Sequence, residues 1–170
     1  MELGLKDRAV VVTGASKGIG LACVHAFAAE GARVAMISRS RANLDAALAA
    51  MPPSAHRPVA IAADLVRADE AARAIAEAER ALGPIDVLVN SAGAARRHPP
   101  DELTAQAWHD AMDAKFFSYV HPTDLVVKAM GRRGRGAIVN IVGQGGKVAN
   151  PVHLPGGAAN AALMLATAGL

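Results

Sequence analysis

Thr13-Gly14-Ala15-Ser16-Lys17-Gly18-Ile19-Gly20 is the stretch that decides the fold of this chain. The apolar run Ala9 to Val12 precedes it, and a segment read as amphipathic, Leu21 to Glu30, follows it. The order is strand, glycine-rich turn, helix. Gly14 permits a tight turn that a side chain would block. Gly18 leaves backbone free for a diphosphate to approach, and Gly20 lets the helix pack closely on the strand. A helix start offers unpaired N–H groups and the positive end of its dipole, which suits an anion. The spacing does not read G-x-G-x-x-G. Nor does it read G-x-x-x-x-G-K-[ST], which excludes a P-loop. On its own the stretch also suits a βα turn that holds no ligand.

Outward from this turn, apolar runs alternate with helical segments. Strands are expected at Ala9 to Val12, Arg33 to Ile37, Pro58 to Ala62, Ile85 to Val89 and Ala137 to Val142. Helices are expected at Ile19 to Glu30, Arg41 to Met51 and Ala68 to Leu82, closed by Gly31, Pro52-Pro53 and Gly83-Pro84 respectively. Asp101 or Thr104 caps a long helical region running towards Met130, with Pro122 as a kink or break. A last helix is read at Gly157 to Leu170. Strands separated by helices imply right-handed βαβ units and a parallel, doubly wound sheet.

The bulk composition agrees. At 170 residues the chain is expected to form one domain, 1–170, with a sizeable core. It is 52% hydrophobic but only 3% aromatic, so Ala, Val, Leu and Ile must build a core of helices on a buried sheet. The net charge is +3, and the arginines form small groups (Arg39/Arg41, Arg96/Arg97, Arg132/Arg133/Arg135) without interleaved aromatics. That gives a nucleic-acid surface little support. The single cysteine, Cys23, excludes an intrachain disulfide and fits a reducing compartment, hence a cytoplasmic expectation. No apolar run reaches membrane-spanning length, the first residues do not resemble a signal peptide, and no metal site is expected.

In such a fold the end of the second strand reaches the adenosine ribose, where an Asp or Glu would bond the 2′-hydroxyl. This chain instead has Ser38-Arg39-Ser40-Arg41, with no acid before Asp45. Arg39, with Lys17 in the glycine turn, suits a 2′-phosphate. That favours NADP(H) over NAD(H), against the alternative of a solvated basic turn.

With these residues in place, the sequence resembles the short-chain dehydrogenase/reductase family over essentially its whole length. TGASKGIG matches the family's T-G-x-x-x-G-x-G. Asp64-Leu65 follows the third strand, where the family places an Asp against the adenine. Asn90-Ser91-Ala92-Gly93 looks like its N-N-A-G, and Gly136 to Ile141 looks like the strand leading to its catalytic serine. The resemblance implies a Rossmann-type three-layer α/β fold. It also implies a cofactor site at Gly14, Ser16, Lys17, Gly18, Ile19, Gly20, Arg39, Asp64, Leu65, Asn90, Ala92 and Gly93. Thr13 and Asn90 would tie the first and fourth strand ends together, and Asp64 and Ala92 would line the adenosine. Asp64 could also be a strand-end cap, and Asn90 a turn residue. The family continues for two more strands and a lid, so the chain reads as shortened after the fifth strand and its helix. It pairs subunits through the long and last helices, so a homo-oligomer, dimer or tetramer, is expected to cover Gly157 to Leu170.

The family transfers hydride between nicotinamide and a carbonyl or alcohol, with an Asn-Ser-Tyr-Lys tetrad handling the proton. Aligned by motif, the serine position falls on Gly143, the tyrosine on Gly156, the lysine on Asn160 and the asparagine on Lys115. The only tyrosine is Tyr119, in the long helical region. Losing a positioned acid/base typically costs about 10²–10⁴ in rate. His153 and Lys115 are the candidate substitutes, with Gln144 and Lys147 nearby. Three readings follow: an NADP(H)-dependent oxidoreductase with non-standard residues acting on a small carbonyl or alcohol substrate; a non-catalytic NADP(H)-binding protein of structural or regulatory role; or a basic surface that uses the glycine motifs only to fold.

Overall fold

The computed structural model describes residues 3–93 and 96–170. Five strands, β1 (Ala9–Thr13), β2 (Arg33–Ser38), β3 (Val59–Ala62), β4 (Val87–Asn90) and β5 (Ala137–Asn140), form one parallel sheet in the order β3-β2-β1-β4-β5. Val11 stands opposite Ala35 on β2 and Leu88 on β4. The helices are α1 (Gly18–Ala29), α2 (Arg41–Ala49), α3 (Ala68–Leu82), α4 (Ala105–Ala111), α5 (Ser118–Arg133) and α6 (Leu154–Gly169).

Strand side chains alternate between the two faces. Val10, Val12, Val34 and Met36 pack with Val24 of α1 and Leu44 and Ala47 of α2. Ala9, Val11, Ala35 and Ile37 pack with Ala71, Ala74, Ile75, Ala78 and Leu82 of α3 and with Val126 and Met130 of α5. This is the three-layer, doubly wound architecture expected. Right-handed crossovers explain it: β1 to β3 step one way across the sheet and β4 to β5 the other, so their helices fall on opposite faces. The alternating spacing of α3's buried residues is that of an amphipathic helix. α1 differs from expectation. Its exposed positions are Gly18, Ile19, Ala22, Ala26 and Ala29, so it is apolar on nearly all sides, with small residues over most of its exposed face.

The long helical region also departs from the reading. Thr104 is its cap, accepting the N–H of Ala107 at 3.2 Å. The break, however, is not at Pro122, which lies inside α5. It is a π-helical turn at Met112–Phe117, directly ahead of α5. Pro122 has no N–H to donate to the Ser118 carbonyl one turn back, where the widened turn has just ended. The last helix starts at Leu154 and not at Gly157, because Pro155 in its first turn is already set for a helical φ. β5 lies at the sheet edge, with Val139 half exposed. Among the described residues no helix is long and apolar enough to cross a membrane.

Candidate functional site

The strand order reverses between β1 and β4, and the crevice opens there, at the carboxyl ends of the strands. Two residues build its floor. Thr13 is fully buried, and its Oγ1 accepts the N–H groups of Ser91 at 3.0 Å and Ala92 at 3.1 Å. This joins the first and fourth strand ends. Asn90, also fully buried, reaches the other way. Its Nδ2 donates to Thr123 Oγ1 at 2.9 Å and to Asn140 Oδ1 at 2.8 Å, tying β4 to α5 and β5. Asn90 therefore supports the site from below and does not line it.

The crevice has a volume of about 730 Å³. Gly14, Ser16, Lys17, Ile19 and Gly20 line the crevice together with Arg39 and Asp64-Leu65, and with Ala92 and Gly93. Gly14 has φ +63°, and a Cβ there would lie 2.6 Å from the Ser91 carbonyl oxygen. A Cβ at Gly20 would overlap the Gly14 carbonyl oxygen, which explains the close seat of α1 on β1. Gly18 has φ +57° with nothing within 4 Å of its Cβ position. α1 begins without a side-chain cap and without an acidic residue in its first turn. Its first N–H groups are thus left for an anion.

Ser16 Oγ and Ser38 Oγ lie 2.9 Å apart and hold the turn against the end of β2. Lys17 and Arg39 are both exposed there. Arg41 is engaged by Asp45 at 2.9 Å, whereas Lys17 and Arg39 make no ion pair among the described residues. Asp64 acts as a strand-end cap, its Oδ1 accepting the Val66 N–H at 3.2 Å, and also lines the crevice. The residues present fit a dinucleotide: an acid-free helix start for the diphosphate, unpaired cations at the ribose end, and small side chains for close approach. Arg96, His98 and Asp110 also line the crevice and were not singled out from sequence. The Arg96-Arg97-His98 run just after the fourth strand's glycine loop was the available signal.

Of the positions that the resemblance aligns with the family's serine and tyrosine, Gly143 is exposed and Gly156 buried, and neither carries a side chain. Tyr119 is buried and donates its hydroxyl to the Ile141 carbonyl at 2.9 Å; burial pushes its pKa up to about 12. It does not line the crevice. His153 directly precedes α6 without a capping side-chain hydrogen bond and also stands away from the crevice lining, with a buried Nδ1 that has no partner among the described residues. Lys115 and Asn160 meet, with Nζ 3.5 Å from Oδ1. No group of three or more His, Cys, Asp or Glu gathers as a metal site among the described residues.

The family profile described as short chain dehydrogenase matches residues 8–170. Gluconate 5-dehydrogenase of Gluconobacter oxydans is 33% identical over 166 residues, covering 98% of this chain and 65% of that protein. The structure of L-sorbose reductase from Gluconobacter frateurii, complexed with NADPH and L-sorbose, superimposes with a TM-score of 0.90 at 26% identity, over 97% of this chain and 63% of that one. An NADPH-bound short chain oxidoreductase from Pseudomonas aeruginosa, described as containing an atypical catalytic center, gives 0.87 at 33% identity, over 95% and 64%. The chain thus spans less than two thirds of the length of each of these three. By the profile match over nearly all its residues, the chain belongs to the short chain dehydrogenase family.

Proposed function

We propose that this chain is an NADP(H)-binding oxidoreductase domain working on a small carbonyl or alcohol substrate. The observation that carries the reading is the uncapped, acid-free start of α1 on a glycine turn that opens into the crevice. A bound nicotinamide supplies or takes the hydride. The chain's own contributions are distinct. Gly14 to Gly20 receive the diphosphate, Lys17 and Arg39 receive the 2′-phosphate, and Asp64, Leu65 and Ala92 enclose the adenosine. The preference for NADP(H) over NAD(H) rests on Arg39, which has no carboxylate partner where an acid would be needed to select the 2′-hydroxyl.

A second reading is a nucleotide-binding protein without turnover. It is favoured by one observation: glycines stand at 143 and 156 while the only tyrosine is committed to the Ile141 carbonyl. The single cysteine supports a cytoplasmic setting, and the outward Leu165 on α6 supports a homo-oligomer.

Titration with NADPH and NADH, followed by Trp108 and reduced-cofactor fluorescence, tests both readings. Saturation by NADPH at lower concentration than NADH is expected. No binding of either up to about 1 mM, a weak affinity of some 4 kcal/mol, removes both readings. Oxidation of bound NADPH by carbonyl compounds then separates the first from the second.

A further inference from the structure

We propose that Lys115 is the proton donor to the substrate oxygen, aimed by Asn160 across a junction lined with glycine. The proposal rests on the reading of the crevice as a nicotinamide dinucleotide site.

The placement of Lys115 is unusual. It lies in the π turn Met112–Phe117, a wide turn of the kind that recurs at functional sites. The glycine loop after β4 is seated directly on this turn: a Cβ at Gly93 would overlap the Ala114 carbonyl oxygen and stand 3.4 Å from Lys115 Cα. Gly93, Ala114 and Ser118 line the crevice, and Lys115, which is not itself part of that lining, directly follows Ala114. Its amine reaches across to α6, where the Oδ1 of Asn160 accepts it at 3.5 Å and the Gly143 N–H at 3.2 Å. Asn160 is only 3% exposed. Sharing one oxygen between a backbone amide and an amine fixes the amide plane, and with it the direction of Nζ.

The rest of the junction has no competing group. A Cβ at Gly143 would lie 2.9 Å from Asn160 Nδ2, at Gly146 2.8 Å from the Ala161 nitrogen, and at Gly157 2.8 Å from the Gly145 carbonyl. Gly146 and Gly157 meet backbone there and Gly143 meets the Asn160 amide, and Lys115 is the ionisable group bonded to Asn160 among the described residues. α6 carries no titratable side chain between Leu154 and Gly169. On the other elements packed against the turn, Asp110 accepts from Gln106, Tyr119 bonds the Ile141 carbonyl, His121 bonds the Leu65 carbonyl, and His109 is exposed on α4. Asp113 and Lys147 are exposed, and His153 stands at the start of α6. None pairs with Lys115 among the described residues. Burial without a carboxylate pushes the Lys115 amine below its usual range, which eases release of its proton. Asn160, being neutral, aims the amine without restoring its basicity. In the family pattern the amide stands on the long helix and the amine on the last. Here the two have changed sides and still meet.

The step balances. A bound reduced nicotinamide would supply a hydride to the carbonyl carbon, and as the C=O π pair moves onto oxygen that oxygen would take its proton from Nζ. The neutral amine is then recharged from water. In alcohol oxidation the same atoms move in reverse.

The test uses the whole chain and two readouts. Competitive labelling of amines with fluorodinitrobenzene across pH, read at Lys115 by mass spectrometry, gives the amine's titration without any substrate. Lys115 is expected to label at lower pH than the other lysines, and Asn160→Asp is expected to move it back up. NADPH oxidation with D-fructose, L-sorbose, pyruvate and benzaldehyde gives the second readout. Lys115→Met and Lys115→Arg are expected to lose about 10²-fold or more in turnover while binding NADPH within about twofold of the parent. Ordinary labelling of Lys115, full turnover in Lys115→Met, or NADPH binding with no turnover of any of the four compounds by the parent would each overturn the proposal. Failure to bind NADPH is read separately in the titration and removes the cofactor reading along with this one. Labelling of the parent needs no variant, so a substitution that fails to fold leaves that arm decisive.

Discussion

Thr13 Oγ1 accepts the backbone N–H of Ser91 at 3.0 Å, from a position with no solvent exposure, and accepts that of Ala92 beside it. One hydroxyl thereby fixes the loop after β4 to the end of β1, and that loop is a wall of the crevice. Thr13→Val keeps the shape and removes the acceptor, leaving two amides without their partner. We expect a loss of about 1–3 kcal/mol in urea unfolding together with weaker NADPH binding. Thr13→Ser, which keeps Oγ, is expected to retain both. Equal stability of the valine and threonine proteins would show the contact to be incidental.

Gly18 separates folding from binding. Its Cβ position is open, so a side chain meets no neighbour, but its φ of +57° disfavours a branched residue. Gly18→Val is expected to stay folded at a cost of roughly 1–2 kcal/mol and to lose NADPH binding, because the added methyls stand where the diphosphate approaches. Gly14→Ala, whose Cβ would lie 2.6 Å from the Ser91 oxygen, is expected to be destabilised more strongly. Circular dichroism and fluorescence titration distinguish the two.

Arg39 and Arg41 make an internal control for cofactor choice. Arg41 is held by Asp45 on α2, and Arg39 makes no ion pair among the described residues. Arg39→Ala is expected to narrow the NADPH/NADH preference by about 10-fold or more, the worth of a charge-assisted hydrogen bond, while Arg41→Ala leaves the ratio near its starting value. An unchanged ratio in Arg39→Ala would mean that the basic turn is merely solvated.

Tyr119 gives a pH signature. Its hydroxyl keeps its proton in the fold, with the pKa raised from 10.0 to about 12 by burial. Between these two values the unfolded tyrosine has released its proton and the folded one has not. The fold therefore binds more protons, and stability falls as pH rises. The contribution is complete below pH 10 and is lost by about pH 12, up to about 3 kcal/mol in all. Tyr119→Phe is expected to be less stable at neutral pH, by about 1 kcal/mol, and to lack this alkaline decline. NADPH-dependent turnover is expected to survive the substitution, since the hydroxyl serves Ile141 and does not line the crevice.

Much of the site was open to reading because it depends on local rules. Glycines at 14, 18 and 20 between an apolar run and a helix carry their meaning in their own backbone. The alternation of β-branched runs with alanine-rich helices imposes parallel strands with helices on both faces. That Gly143 and Gly156 carry no side chain is a matter of residue identity alone.

Other features depend on residues distant in the chain. The resemblance implies Asn90 as a tie to β1, whereas its side chain meets Thr123 and Asn140, 33 and 50 positions away. The π turn was missed in favour of Pro122, since a helix widens there where the loop at Gly93 and the face of α6 press on it, and no local preference records that pressure. Likewise the meeting of Lys115 and Asn160, 45 positions apart, exists only once α6 folds back over the turn. Backbone preference acts over a few neighbouring residues and is written in their types; a contact across the sheet exists only when the chain returns, and packing chooses which side chains then touch.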